Sequence, residues 1–141
     1  MIIAATGHRP PQDFAKAKIA LNAFMKLACN NVTYAISGMA DGWDTIFARA
    51  CLYYGVPLHC YVPFRGQKPT SEFYEEILGK AASIIYCADA YHRRCFLDRD
   101  DRMVQDADVL IAFLSPTSTK GGTFYTVKKG RGAGKPVINF Y

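Results

Sequence analysis

The stretch ISGMADGWDTIFARA, Ile36 to Ala50, decides how this chain is read. An apolar run ends at Ser37, glycines follow at positions 38 and 42, and WDTIFARA then takes up a helical spacing. Strand, glycine-bearing turn and helix together open a βα unit. The glycines have two explanations. They permit a tight turn, or they let a ligand come close to bare backbone. Asp44 stands in the first helical turn, where the helix dipole favours an acid; a contact to a ribose hydroxyl accounts for it equally well. Trp43, the only tryptophan, reads as core packing before it reads as a stacking platform.

Working outward, short runs rich in Ile, Val, Tyr and Phe fall at 2–6, 33–37, 58–62, 83–87, 109–114 and 137–140 and predict strands. Helical patterns lie between them. The first spans about 13–29, with Phe14, Ala17, Leu21, Phe24, Met25 and Ala28 on one face and Pro10 and Pro11 just before it. The second spans about 42–54 and is ended by Gly55 and Pro57. The third spans about 71–82, with Thr70 or Ser71 as N-cap, the fourth about 98–107, and the fifth about 123–130. Strand alternating with helix predicts an α/β fold: an open, mainly parallel sheet of about six strands with helices on both faces. Its ligands bind beyond the carboxyl ends of the strands, where the strand order reverses.

The length of 141 residues fits one domain, 1–141, and half of the residues are apolar, enough to bury a core. No apolar run approaches the roughly 20 residues of a membrane span, and MIIAATGHRPP reads as a first strand rather than a signal peptide. The five cysteines form no C-x-x-C pair and no even set, which points to reduced thiols in a cytoplasmic protein. No metal site and no cofactor is expected. The net charge is +5, and from Val109 onward there are five basic residues and no acid. That favours an anionic partner, a phosphate-bearing ligand or nucleic acid, although a solvated basic helix face explains the charge as well.

The residues after each strand carry the chemistry. After the first comes TGHRPP, where Gly7 allows a turn and His8 and Arg9 project from the sheet top; Arg9 suits a phosphate or carboxylate. After the second, Ser37, Gly38 and Gly42 open a helix whose first N–H groups suit an anion. The spacing is neither G-x-G-x-x-G nor a P-loop. After the third comes PFRGQKPTSEFY, with Arg65 a further anion contact and Phe64 or Tyr74 either stacking on a base or buried. After the fifth, Gly121, Gly122 and Thr123 open another helix. Two glycine-bearing helix starts and the TGHR turn then converge on one crevice. The stretch CADAYHRRCFLDRDD, 87–101, reads either as a lid closing through Arg93 and Arg94 or as a surface loop.

In this order, TGHR, SGMADGWD, PFRGQ, EILGKA, DRMVQDADVLIAF and KGGTFYTVKKGRGAGKPV resemble the YpsA-like branch of the SLOG superfamily, which also holds DprA and the LOG (lysine-decarboxylase-like) proteins. The similarity spans nearly the whole chain, and small stand-alone versions are similar to bacterial and phage proteins. The resemblance implies a Rossmann-like three-layer sandwich and a pocket for a nucleotide or nucleotide-derived ligand. It implies ligand contacts from Thr6, Gly7, His8 and Arg9, from Ser37, Gly38, Met39, Ala40 and Asp44, and from Gly121, Gly122 and Thr123. A family arginine matches Arg102, with Asp106 nearby.

One departure bears on function. LOG-type phosphoribohydrolases and the similar nucleoside deoxyribosyltransferases carry a glutamate where this chain has Thr126, and Thr126 is no carboxylate base. The glutamates here are Glu72, Glu75 and Glu76, all in the third helix. Asp44 or Asp41 is the only substitute in view. The first expectation is therefore a module that senses or sequesters an ADP-ribose-like ligand. A nucleotide-processing enzyme acting at a glycosidic or phosphate bond, and DprA-like binding of single-stranded DNA, stand beside it. Homo-oligomerisation through the Phe24/Met25 side of the first helix is a further expectation.

Overall fold

The computed structural model describes residues 1–141. Six strands are joined by five helices: β1 (Ile2–Gly7), α1 (Ala15–Ala28), β2 (Tyr34–Ser37), α2 (Trp43–Tyr53), β3 (Leu58–Val62), α3 (Tyr74–Lys80), β4 (Ser83–Tyr86), α4 (Cys95–Asp106), β5 (Val109–Phe113), α5 (Gly122–Gly132) and β6 (Val137–Asn139). All five strand pairings are parallel, in the order β4-β3-β2-β1-β5-β6. The expected α/β, Rossmann-like sandwich is the observed fold.

Side-chain alternation along the strands divides the helices between the two faces. Ile3 and Ala5 of β1 join Leu21, Met25, Trp43, Phe47 and Ile77 in the core beneath α1, α2 and α3. Ala4 between them joins Ile36, Met103, Val104 and Leu110 beneath α4. Ala112, Leu114 and Val127 pack α5 onto that second face. The chain winds outward from β1 to β4 and then returns past β1 to build β5 and β6. The order therefore reverses between β1 and β5, and a crevice opens at their carboxyl ends.

Several boundaries differ from the sequence reading. α3 begins at Tyr74, three residues late, and neither Thr70 nor Ser71 caps it. The Thr70 hydroxyl instead donates to the Met39 carbonyl. α4 begins at Cys95, so the second half of the 87–101 stretch is helix. Arg94 is held at its start by Asp98 and Asp101, with Nε 3.1 Å from Asp98 Oδ1. The Phe24/Met25 side of α1 faces the core: Met25 is fully buried and Phe24 packs edge-on against Phe140. The large apolar residues that α1 exposes are Ile19 and Leu27. No helix is long and apolar enough to cross a membrane, and all five cysteines are unpaired.

Candidate ligand-binding site

Trp43 anchors the crevice from below. Its indole N–H donates to the Ile111 carbonyl at 3.0 Å, its backbone N–H to the His8 carbonyl at 3.2 Å, and its ring packs against Phe14 and Phe113. One residue thus ties α2 to both β1 and β5. Gly7 is required for this: a Cβ there would clash with the Trp43 side chain. The two strand tips are tied again by His8, whose Nε2 accepts from the Ser115 N–H at 2.9 Å. Burial lowers the His8 pKa, which keeps that nitrogen free to accept.

The glycines of the opening motif serve the protein's own packing. A Cβ at Gly38 would lie 2.9 Å from Nη1 of Arg99, whose guanidinium lies against the Gly38 backbone and donates to its carbonyl. A Cβ at Gly42, where φ is +84°, would lie 2.6 Å from the His8 carbonyl. The expected anion site at the start of α2 is therefore closed by the β1–α1 turn, and both glycines answer to close approach within the chain.

The start of α5 is different. Gly121 has φ +96° and open space around it, and no side chain caps the helix. The N–H groups of Gly122, Thr123 and Phe124 have no carbonyl one turn back. Beside them lie Lys120 and, across the crevice, Arg9, neither of which is in an ion pair. Free amides, the positive end of a helix dipole and two unpaired cations gather at this end of the crevice.

The floor is polar and buried. Arg99 is 6% exposed and donates from Nε to Asp100 Oδ1 at 2.7 Å. Burial raises the Asp100 pKa, and the adjoining Arg99 works against that rise. Asp44 is also 6% exposed; its Oδ2 accepts from the Ala40 N–H at 3.3 Å. Its Oδ1 is the one buried side-chain oxygen or nitrogen without a hydrogen-bond partner. Burial pushes the Asp44 pKa up to about 7, against the pull of Arg99. An orphaned carboxyl oxygen beside a polar crevice asks for a donor that the chain does not supply.

Of the residues expected from the sequence, Thr6, Gly7, His8, Arg9, Ala40, Asp44, Gly121, Gly122 and Thr123 line this cavity of about 240 Å³. Ser37, Gly38 and Met39 lie beneath it and are buried. Met39 is held at φ +63°, with its N–H bonded to the Ser37 hydroxyl. Arg65 sits at the tip of β3 with its guanidinium 4.3 Å over the Tyr86 ring, outside the cavity. Arg102 is also outside: it lies over Tyr61, with Nε 3.9 Å from Asp106. The arginine that reaches the floor is Arg99. Its signal was in the sequence: Cys95, Arg99 and Met103 recur every four residues, which puts Arg99 on the inward stripe of α4. Trp43 and Tyr74 are buried core residues, not stacking platforms.

Compared by sequence, the chain matches no family model and no curated protein. Its fold matches solved structures. DNA processing protein A (DprA) from Streptococcus pneumoniae superposes with a TM-score of 0.76 at 14% identity, over 97% of this chain and 49% of that one. DprA from Helicobacter pylori, described for its single-stranded DNA binding mode, gives 0.76 at 18% identity, over 99% and 64%. The molybdenum cofactor carrier protein from Chlamydomonas reinhardtii gives 0.66 at 17% identity, over 98% and 74%. The chain spans about half the length of the first and under two thirds of the second. Its fold is that of these DprA and molybdenum cofactor carrier protein structures.

Proposed function

We propose that the crevice between the ends of β1 and β5 binds a nucleotide or nucleotide-derived, ADP-ribose-like ligand, and that the chain senses or sequesters it. The observation that carries this reading is the uncapped start of α5 facing Arg9 and the buried Asp44–Arg99 floor. A phosphate meets the free N–H groups of Gly122 and Thr123 together with Lys120 and Arg9. A sugar hydroxyl lies over the Asp44–Arg99 floor. The solved structures of this fold include a carrier protein for the molybdenum cofactor, which is in keeping with a binding role.

A second reading, hydrolysis at a glycosidic or phosphate bond, is favoured by Asp100. Thr126 stands where the LOG-type glutamate would be, but Asp100 brings a carboxylate to the same wall: its Oδ2 is 3.8 Å from where a Gly122 Cβ would lie. With Asp44 it places two carboxyl groups at the crevice.

Isothermal titration of the full chain with AMP, ADP-ribose and a short single-stranded oligonucleotide tests these readings. Binding of AMP or ADP-ribose, weakened at least tenfold in the Arg9→Ala/Lys120→Ala double variant, is expected. Chromatography of the recovered ligand separates carriage from turnover. Binding of the oligonucleotide alone transfers the assignment to single-stranded DNA, as described for the Helicobacter pylori protein. No heat from any of them overturns the proposal.

A further inference from the structure

The crevice does not end at Arg9 and Arg99. These two residues and Ala40 also line a second cavity of about 250 Å³, which runs toward the tip of β3 and is walled by Asp41, Gln67, Thr70 and Phe96. We propose that this second cavity is the subsite for a heteroaromatic base, stacked on Phe96 and hydrogen-bonded at its edge by Gln67; the assignment rests on the nucleotide reading above.

Three observations carry it. The first is the ring. Phe96 is half-buried at the start of α4 and lines the cavity. Phe64 holds it in an edge-to-face arrangement, with centroids 6.1 Å apart, and Tyr91 braces Phe64 in the same way at 5.5 Å. A half-buried ring braced edge-on by Phe64, with the Arg99 guanidinium 5.9 Å over its centroid, is a pre-set platform. Base–aromatic stacking is sequence-tolerant and worth about tenfold or more in affinity.

The second is the polarity of the amide. The buried Tyr74 hydroxyl donates to Gln67 Oε1 at 3.4 Å, which turns the Gln67 NH₂ away from Tyr74. That NH₂ makes no bond within the chain. It offers a donor to a ring nitrogen or carbonyl.

The third is contrast. The two ends of the crevice differ in the groups they present, though both carry Arg9 and Arg99. The α5 end offers N–H groups and Lys120, whereas the β3 end adds the carboxylate of Asp41 to Arg9 and Arg99. Free helix N–H groups are found only at the α5 end, whereas the aromatic ring and the free amide are found only at the β3 end, beside Asp41. The ligand is thereby oriented: phosphate at Gly121–Thr123, sugar over Asp44, base on Phe96.

The test compares AMP with ribose 5-phosphate, which has the sugar and the phosphate but no base, by calorimetric titration of wild type, Phe96→Leu and Gln67→Ala. The Gln67 position is in a surface loop, so that variant guards against loss of fold in the other. In wild type, AMP is expected to bind at least tenfold more tightly than ribose 5-phosphate. Phe96→Leu is expected to lower AMP affinity about tenfold and Gln67→Ala about threefold, with ribose 5-phosphate unchanged within twofold in both. If ribose 5-phosphate binds wild type as tightly as AMP, or both variants weaken the two ligands equally, the base subsite is wrong while the anion crevice stands. If neither compound binds, both assignments fall.

Discussion

The Arg99 guanidinium lies flat against Gly38, so that a Cβ there would stand 2.9 Å from Nη1 and 3.1 Å from Cζ. The contact joins α4, on one face of the sheet, to the end of β2, and it sets the crevice floor. Because Arg99 is buried and already bonded to Asp100 and to the Gly38 carbonyl, it has little room to give. Gly38→Ala is expected to destabilise the fold by about 1–3 kcal/mol. It should weaken ligand binding as well, since the guanidinium must move. Chemical denaturation against Gly79→Ala checks this. Gly79 lies in α3 with nothing within 4 Å of an added Cβ, so alanine there should be neutral or stabilising by up to about 1 kcal/mol.

Asp44 makes stability fall as pH rises. Its carboxyl has a pKa of about 7 in the fold against 3.8 as a free side chain, so the folded state holds the proton more tightly between those values. The contribution is fully present below about pH 4 and is lost as pH rises through 7. At about 1.4 kcal/mol per pH unit the full window amounts to at most about 4 kcal/mol. Asp44→Asn is expected to raise the melting temperature at pH 8 and to leave it nearly unchanged at pH 4. An equal effect at both pH values would show that the Asp44 carboxyl titrates normally.

His8 works in the opposite direction. Burial lowers its pKa, so the unfolded chain takes up a proton first as pH falls below the ordinary 6.5, and stability drops on the acid side. Protonation also removes the acceptor for the Ser115 N–H. Hydrogen exchange at Ser115 should accelerate between pH 6.5 and 5 beyond the intrinsic trend. In His8→Ala it should be fast at every pH.

The start of α5 should govern the anion. Gly121 has a φ that favours glycine, so Gly121→Ala is expected to cost about 1 kcal/mol of stability and to turn the free N–H groups off target. AMP affinity should fall at least fivefold, measured by titration calorimetry. Gly134→Ala, also at positive φ but far from the crevice, should show the stability cost without the loss of affinity.

Most of the architecture was legible because it rests on local signals: six short runs rich in Ile, Val, Tyr and Phe with five helical spacings between them. The parallel sheet with helices on both faces followed from the alternation; the strand order did not. What was hidden depends on side chains that meet only after folding. Arg99 sits in DRDDRM, which reads as a solvated helix face because charge masks the inward stripe that begins at Cys95. Gly38 and Gly42 looked ligand-directed because a sequence shows that a Cβ is missing, not what fills its place. The loop 63–73 offered several aromatic and polar candidates with no periodicity to rank them. The Tyr74–Gln67 bond that orients the amide exists only across a turn.

The chain has a single tryptophan, and its environment gives the protein an optical reporter of its own. Trp43 is wholly excluded from water and bridges the backbones of His8 and Ile111. Its emission should therefore be blue-shifted in the native state and move to longer wavelength on unfolding. Because the same indole spans the two strand tips that frame the crevice, ligand-induced tightening there should alter its quantum yield, so occupancy can be followed without a label.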